Sequence, residues 1–205
     1  MKIRASVVSL GILAALVMGT APATAQVQAH KSEIHLYAGE LFGDDLTDRA
    51  VSGQTPKLDD DLTYGVRYGR DFTDSWGLEV SVGRSPNTAT RVPGGDIDLD
   101  LTTLDVDAVW HFTPKARVVG YLVGGAGYAT SSLVHRIRGT VVGQPVSIGD
   151  DSSFSLNAGI GAKLFVTKSF MIRGEARYRY IDSLVDRFSN SLSTVETTAG
   201  VGWMF

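Results

Sequence analysis

Thr194-Val195-Glu196-Thr197-Thr198-Ala199-Gly200-Val201-Gly202-Trp203-Met204-Phe205 closes the sequence and decides its reading. Val195, Thr197, Ala199, Val201, Trp203 and Phe205 share one parity; Glu196, Thr198, Gly200, Gly202 and Met204 share the other. A period of two is that of a β-strand, here with one apolar face and one largely polar or small face. Such a strand needs partners for its backbone, and its aromatic end suits a membrane-water interface. It therefore reads as the closing strand of a barrel in lipid.

The opposite end of the chain fits a route to that lipid. Met1-Lys2-Ile3-Arg4 is positive, Ala5 to Met18 is a short apolar core, and Ala23-Thr24-Ala25 is a small-residue cleavage site before Gln26. These are the parts of a secretory signal peptide over residues 1–25. The apolar core is too short for a spanning helix, which needs about 20 apolar residues. The expected mature domain, residues 26–205, must then cross a membrane as strands. Removing Lys2 and Arg4 leaves 17 basic residues against 22 acidic ones, a formal charge of -5, which argues against nucleic acid as a partner. The absence of cysteine excludes a lipoprotein anchor, a disulfide framework and a thiol nucleophile.

Seven more alternating segments precede the last. Ile34, Leu36 and Ala38 open the first, running to about Phe42, before an acidic loop at 43–61. Leu62, Tyr64, Val66, Tyr68 and Phe72 mark the second, and Trp76, Leu78, Val80 and Val82 the third. A long connection is expected around 85–95, then Leu104, Val106, Ala108, Trp110 and Phe112. The fifth strand, from Val118 to about Thr130, is rich in glycine and its facing stays open. The longest loop is expected at 131–152, with 134–138 and 141–142 available to extend its hairpin. Phe154 to Leu164 form the sixth strand and Phe170 to Tyr180 the seventh, with a last loop at 182–190.

Two regularities join these segments. Connections alternate long and short, and the short ones repeat a pattern, Phe72-Thr73, Phe112-Thr113 and Val166-Thr167. Phe72, Trp76, Trp110, Phe112, Phe170, Trp203 and Phe205 gather at the short-turn ends as one girdle, with Tyr64, Tyr128, Phe154 and Tyr180 nearer the other rim. A soluble lipocalin-like barrel would turn its apolar parity inward, and the girdle argues against it. The fold expected is all-β, an eight-stranded antiparallel transmembrane up-and-down barrel.

With its Gly-rich fifth strand, Thr-containing turns and terminal Gly200-Val201-Gly202-Trp203-Met204-Phe205, the mature chain resembles the small OmpA- and OmpX-like outer-membrane barrels. The resemblance implies residence in the outer membrane of a Gram-negative bacterium and contact with outer-membrane lipids and lipopolysaccharide. It also implies recognition by the barrel-assembly machinery through a C-terminal signal at Val201, Trp203 and Phe205, and a monomeric state. The peptidoglycan-binding domain of OmpA has no counterpart here.

If the apolar parity faces lipid, Arg67, Asp71, Glu79, Asp105, Asp107, His111, Lys163, Arg173, Glu175, Arg177, Arg179 and Glu196 face inward and need partners. Counting back from the last loop sets Arg177 opposite Glu196 as a cross-strand ion pair. Mixed signs in a narrow barrel indicate a zipped polar core rather than an open pore. Asp105 and Asp107 invite a general acid-base reading, yet pairing with the neighbouring arginines is simpler. For lipid A chemistry the loop residue His135, near Ser131, Ser132 and Asp150, is the candidate, and His111 sits at the wrong end. The runs Asp59-Asp60-Asp61 and Asp96 to Asp100 suggest divalent-cation ligands, or a rim in which the second run approaches Arg136 and Arg138.

No catalytic residue, metal site or cofactor is assigned. The expected role is structural, an envelope barrel presenting its loops outward. Surface recognition through the loops is the first alternative; lipid A modification and small-ion conduction are lesser ones.

Overall fold

Alternation of apolar and polar residues makes each segment a strand, and the need to pair every backbone edge in lipid makes the strands a closed ring. The computed structural model describes residues 27–42, 57–58, 61–90, 97–133, 139–141, 144–146, 151–182 and 192–205. Eight strands form the wall: β1 (Ser32–Phe42), β2 (Asp61–Asp71), β3 (Trp76–Thr90), β4 (Ile97–His111), β5 (Val118–Leu133), β6 (Asp151–Phe165), β7 (Phe170–Ile181) and β8 (Leu192–Met204). Each pairs antiparallel with its neighbours in sequence, and β1 pairs with β8 from Glu33↔Met204 to Phe42↔Val195, closing the barrel. The expected signal peptide lies outside the described residues.

The alternation assigns the two faces. Leu36, Val66, Val80, Leu104, Leu156, Ile160, Ile172 and Val201 are among the large apolar side chains exposed on the outer surface, while the inward positions of the same strands are buried and largely polar. Phe72, Trp76, Trp110, Phe112, Trp203 and Phe205 stand exposed around the short-turn end, and Tyr64, Tyr128, Phe154 and Tyr180 nearer the other. β5 takes odd residues inward: Val119, Tyr121 and Val123 are buried, and Val118, Leu122 and Tyr128 are exposed.

The repeated threonines have a local cause. In the turn at 72–75 the N–H groups of Phe72 and Thr73 both bond the Trp76 carbonyl (2.9 and 3.1 Å), and Thr73 Oγ1 accepts from the N–H groups of Ser75 and Trp76 (3.2 and 2.9 Å). The turn at 166–169 repeats every bond, with Val166 and Thr167 donating to the Phe170 carbonyl and Thr167 Oγ1 accepting from Ser169 and Phe170. A threonine hydroxyl at this position replaces a backbone partner. The longer middle turn uses Thr113 differently: its hydroxyl donates to the Val118 carbonyl and accepts from Gly120 N–H (3.2 and 2.7 Å). There the Phe112 ring lies over Gly120, where a Cβ would come within 2.3 Å of it.

Two expected loops are shorter than the polar composition suggested. β3 runs to Thr90 and β4 begins at Ile97, with pairing unbroken from Trp76↔Trp110 to Ala89↔Ile97, so most of the connection expected at 85–95 is strand. β5 continues to Leu133, and a separate hairpin joins Gly139–Val141 to Gln144–Val146 within the loop expected at 131–152. Ladder hydrogen bonds use the backbone alone, so pairing outlasts the apolar alternation once a strand has left lipid.

Candidate functional site

The inward faces of all eight strands converge on a lumen filled by charged side chains, and three layers can be followed along it. The layer nearest the loops centres on β4 and β7. Arg179 grips Asp105 with both terminal nitrogens (2.6 and 2.9 Å) and reaches Glu196 with Nε (3.4 Å). Arg177 bonds Asp107 (2.8 Å) and Glu175 (2.9 Å), and Asn157 donates to the second Asp107 oxygen (2.9 Å). The register does set Arg177 beside Glu196. The expected ion pair between them is corrected, because Glu196 bonds the diagonal Arg179 while Arg177 crosses the lumen to Asp107.

The middle layer is built on Arg173. Its guanidinium pairs with Glu79, with Glu175 (2.6 Å) and, through Nε, with the hydroxyl of Tyr121 (2.6 Å). That hydroxyl donates in turn to Glu175 (2.8 Å). Arg67 completes the layer against Glu175 (3.1 Å) and stacks over the Tyr37 ring, 4.0 Å from its centroid.

The layer nearest the short turns differs in kind. Lys163, with no exposed surface, bonds Glu33 (2.5 Å) and His111 Nε2 (3.1 Å); His111 Nδ1 lies 3.8 Å from Asp71, and His35 lies 3.2 Å from Glu33. Five polar atoms here have no hydrogen-bond partner: Glu33 Oε2, both ring nitrogens of His35, Asp71 Oδ2 and His111 Nδ1. Beneath it an apolar cluster of Val119, Phe165, Met171, Met204 and Val27 ends the lumen.

Backbone spacing makes these contacts possible. The Asp105 and Asp107 carboxylates lie against Gly127 and Gly125 of β5, where an added Cβ would come within 2.4 and 2.3 Å of their Oδ1 atoms. The glycines of the fifth strand thus hollow the wall where the carboxylates stand.

The inward residues expected from parity are all buried: Arg67, Asp71, Glu79, Asp105, Asp107, His111, Lys163, Arg173, Glu175, Arg177, Arg179 and Glu196. Sequence reasoning missed Glu33, which shares the parity of His35, and Tyr121, on the strand whose facing stayed open. Asp100 meets Arg84 on the outer surface, and Arg136 and Arg138, its expected partners, lie outside the described residues. So do His135, Asp150, Asp59, Asp60 and Asp96, while Ser131 and Ser132 belong to β5. Val201, Trp203 and Phe205 face outward. Among the described residues no group of three or more potential ligands is placed to hold a metal ion.

A closed ring of eight antiparallel strands with an apolar exterior, two aromatic girdles and a charged interior is the build of an outer-membrane barrel. Residues 11–205 match the family of the outer membrane protein beta-barrel domain. The chain belongs to this family. Its place is therefore the bacterial outer membrane, with short turns to the periplasm and long loops outside. None of the curated protein sequences matches it. Among solved structures it is similar to Neisserial surface protein A (18% identity, 85% of this chain and 97% of that one, TM-score 0.60). It is also similar to OprG of Pseudomonas aeruginosa (13%, 88% and 99%, TM-score 0.54) and to the attachment invasion locus protein Ail of Yersinia pestis (20%, 87% and 100%, TM-score 0.52). At these identities the likeness is one of fold.

Proposed function

We propose that this protein is a closed, non-conducting barrel with a structural role in the outer membrane. The observation that carries the reading is the filled lumen: buried charged side chains bridge the wall from β3 to β7 and from β4 to β7. Apolar layers flank this network. Val119, Phe165, Met171 and Met204 lie below it, and Leu41, Leu101 and Ile181 face inward near the loop end with at most 1% of their surface exposed. Outer-membrane lipid and lipopolysaccharide are the partners of the exterior, and the outward Val201, Trp203 and Phe205 are the signal offered to the barrel-assembly machinery.

The test is electrical. Purified full-length protein in a planar bilayer is expected to give no conductance steps, and steady ion flow would overturn the closed reading.

A second reading, surface recognition, has its own support. β3 to β6 are 15 or 16 residues long against 11 to 13 for the other four strands, so one side of the barrel stands taller by about 10 Å. Such a ledge raises the strand ends from which the loops leave. Complementing a deletion strain separates the roles. A loop-trimmed protein that restores the envelope barrier supports the structural role, whereas one that restores the barrier but loses adhesion to surfaces supports recognition as well.

A further inference from the structure

The chain before β1 does not trail away from the barrel. Val27 N–H bonds the Pro114 carbonyl in the second short turn (3.2 Å), Ala29 N–H meets Asp74 Oδ1 in the first (3.3 Å), and His30 N–H bonds the Asp71 carbonyl (2.7 Å). His30 has a φ of 64°, a left-handed conformation that reverses the chain under the barrel rim. The reversal carries the Val27 side chain into the mouth, 3% exposed, against Val119, Phe165, Met171 and Met204. Those four residues belong to β5, β6, β7 and β8, whereas the backbone bonds reach the turns joining β2 to β3 and β4 to β5.

We infer that residues 27–31 are a strap that closes the periplasmic mouth of the barrel and separates the layer of Glu33, His35, Asp71, His111 and Lys163 from the periplasm. Directly above the plug lie five unpartnered polar atoms, which water would satisfy if it entered, and one valine side chain completes the apolar cover over them. The strap contacts both halves of the barrel, so it seats only after β1 and β8 have joined. Ser32 and Phe205 exchange backbone bonds (2.9 and 2.8 Å) at that same point of the seam. The three bonds above, a fourth from Asp71 N–H to the Lys31 carbonyl (2.9 Å) and the packing of Val27 hold the strap, against a full ladder for each wall strand, which makes it the first part of this mouth to open.

The inference rests on the closed-barrel reading, and its test fails separately from it. The chain has no cysteine, so Met171→Cys provides a single thiol behind Val27. The reagent is a small cationic thiosulfonate, suited to a lumen in which the described residues include seven buried carboxylates against five buried Lys and Arg side chains. With Val27 in place, the thiol of the folded full chain is expected to react far more slowly than in urea. Val27→Asp is expected to raise the rate by tenfold or more, and Val27→Gly, which removes the side chain without adding charge, by about tenfold, the worth of burying one valine. Circular dichroism and tryptophan emission report whether each variant keeps the barrel, and Val27→Gly decides the matter if Val27→Asp does not fold. Equal rates with and without the Val27 side chain, or fast reaction with it present, overturn the strap. Conductance of the unmodified protein overturns the closed barrel instead.

Discussion

The middle and lower layers of the lumen are both built from buried charged side chains, yet they are finished differently. Every nitrogen of the Arg173 guanidinium meets an acceptor, and Tyr121 is bound on both sides. One layer down, four residues hold five of the ten unpartnered buried polar atoms found among the described residues. Arginine presents a planar fork that fits two carboxylates at once, while lysine offers a point charge and histidine one or two ring nitrogens. The middle layer is therefore a rigid brace between opposite strands, and the lower layer is an under-bonded chamber that depends on its apolar cover.

The sharpest way to break this contrast is to remove the hub of the brace. Arg173→Ala strands Glu79 and Glu175 partly unpaired in a buried site and is expected to cost about 3–5 kcal/mol, read from urea unfolding in lipid vesicles. Removing Glu79 together with Arg173 should cost less than the sum of the two single changes, because they share one interaction. Additive losses would show that the brace is not a coupled unit.

In the lower layer, Lys163→Met leaves Glu33 and His111 without their shared cation. Glu33 already has one oxygen unpartnered, so less bonding is lost than at Arg173, and the expected cost is about 2–3 kcal/mol. A loss as large as that of Arg173→Ala would erase the distinction between the layers.

Much of this arrangement was legible because a strand's period of two writes the two faces of the wall into alternate residues. In β7, Ile172, Ala176, Tyr178 and Tyr180 against Arg173, Glu175, Arg177 and Arg179 allow only one orientation in lipid. The register of Arg177 and Glu196 followed from counting back from the last loop, but the choice of Arg179 as the partner of Glu196 did not. Parity gives the face a side chain points to, and competition among several carboxylates within reach of a long arginine decides the bond. β5 resisted for a related reason: its glycines suit either face, and only the neighbouring Asp105 and Asp107 show that the gaps belong inside. Val27 was invisible, since one valine among polar residues has no period.

Tyr121→Phe tests the upper edge of the contrast. The substitution keeps the ring in place against Val109 and Val123 but removes the hydroxyl that accepts from Arg173 and donates to Glu175. One buried donor is left unpaired, and the expected loss is about 1–1.5 kcal/mol. A neutral result would mean that water takes the place of the hydroxyl, and that the brace is wetter than its bonding suggests.

The smallest effect is expected at the residue that looks most exposed to chemistry. His35 is buried at the foot of β1 with neither ring nitrogen hydrogen-bonded, although Glu33 stands 3.2 Å from one of them. The imidazole contributes volume and a contact with Glu33 that lacks hydrogen-bond alignment, and a buried polar group without an aligned bond gives back little for its lost hydration. His35→Leu is then expected to change stability by less than about 0.5 kcal/mol, or to raise it slightly. A loss of 2 kcal/mol or more would show that His35 is bonded to Glu33, directly across the 3.2 Å between them or through ordered water. The lower layer would then be a bonded network like the one above it, with histidine where the other uses arginine.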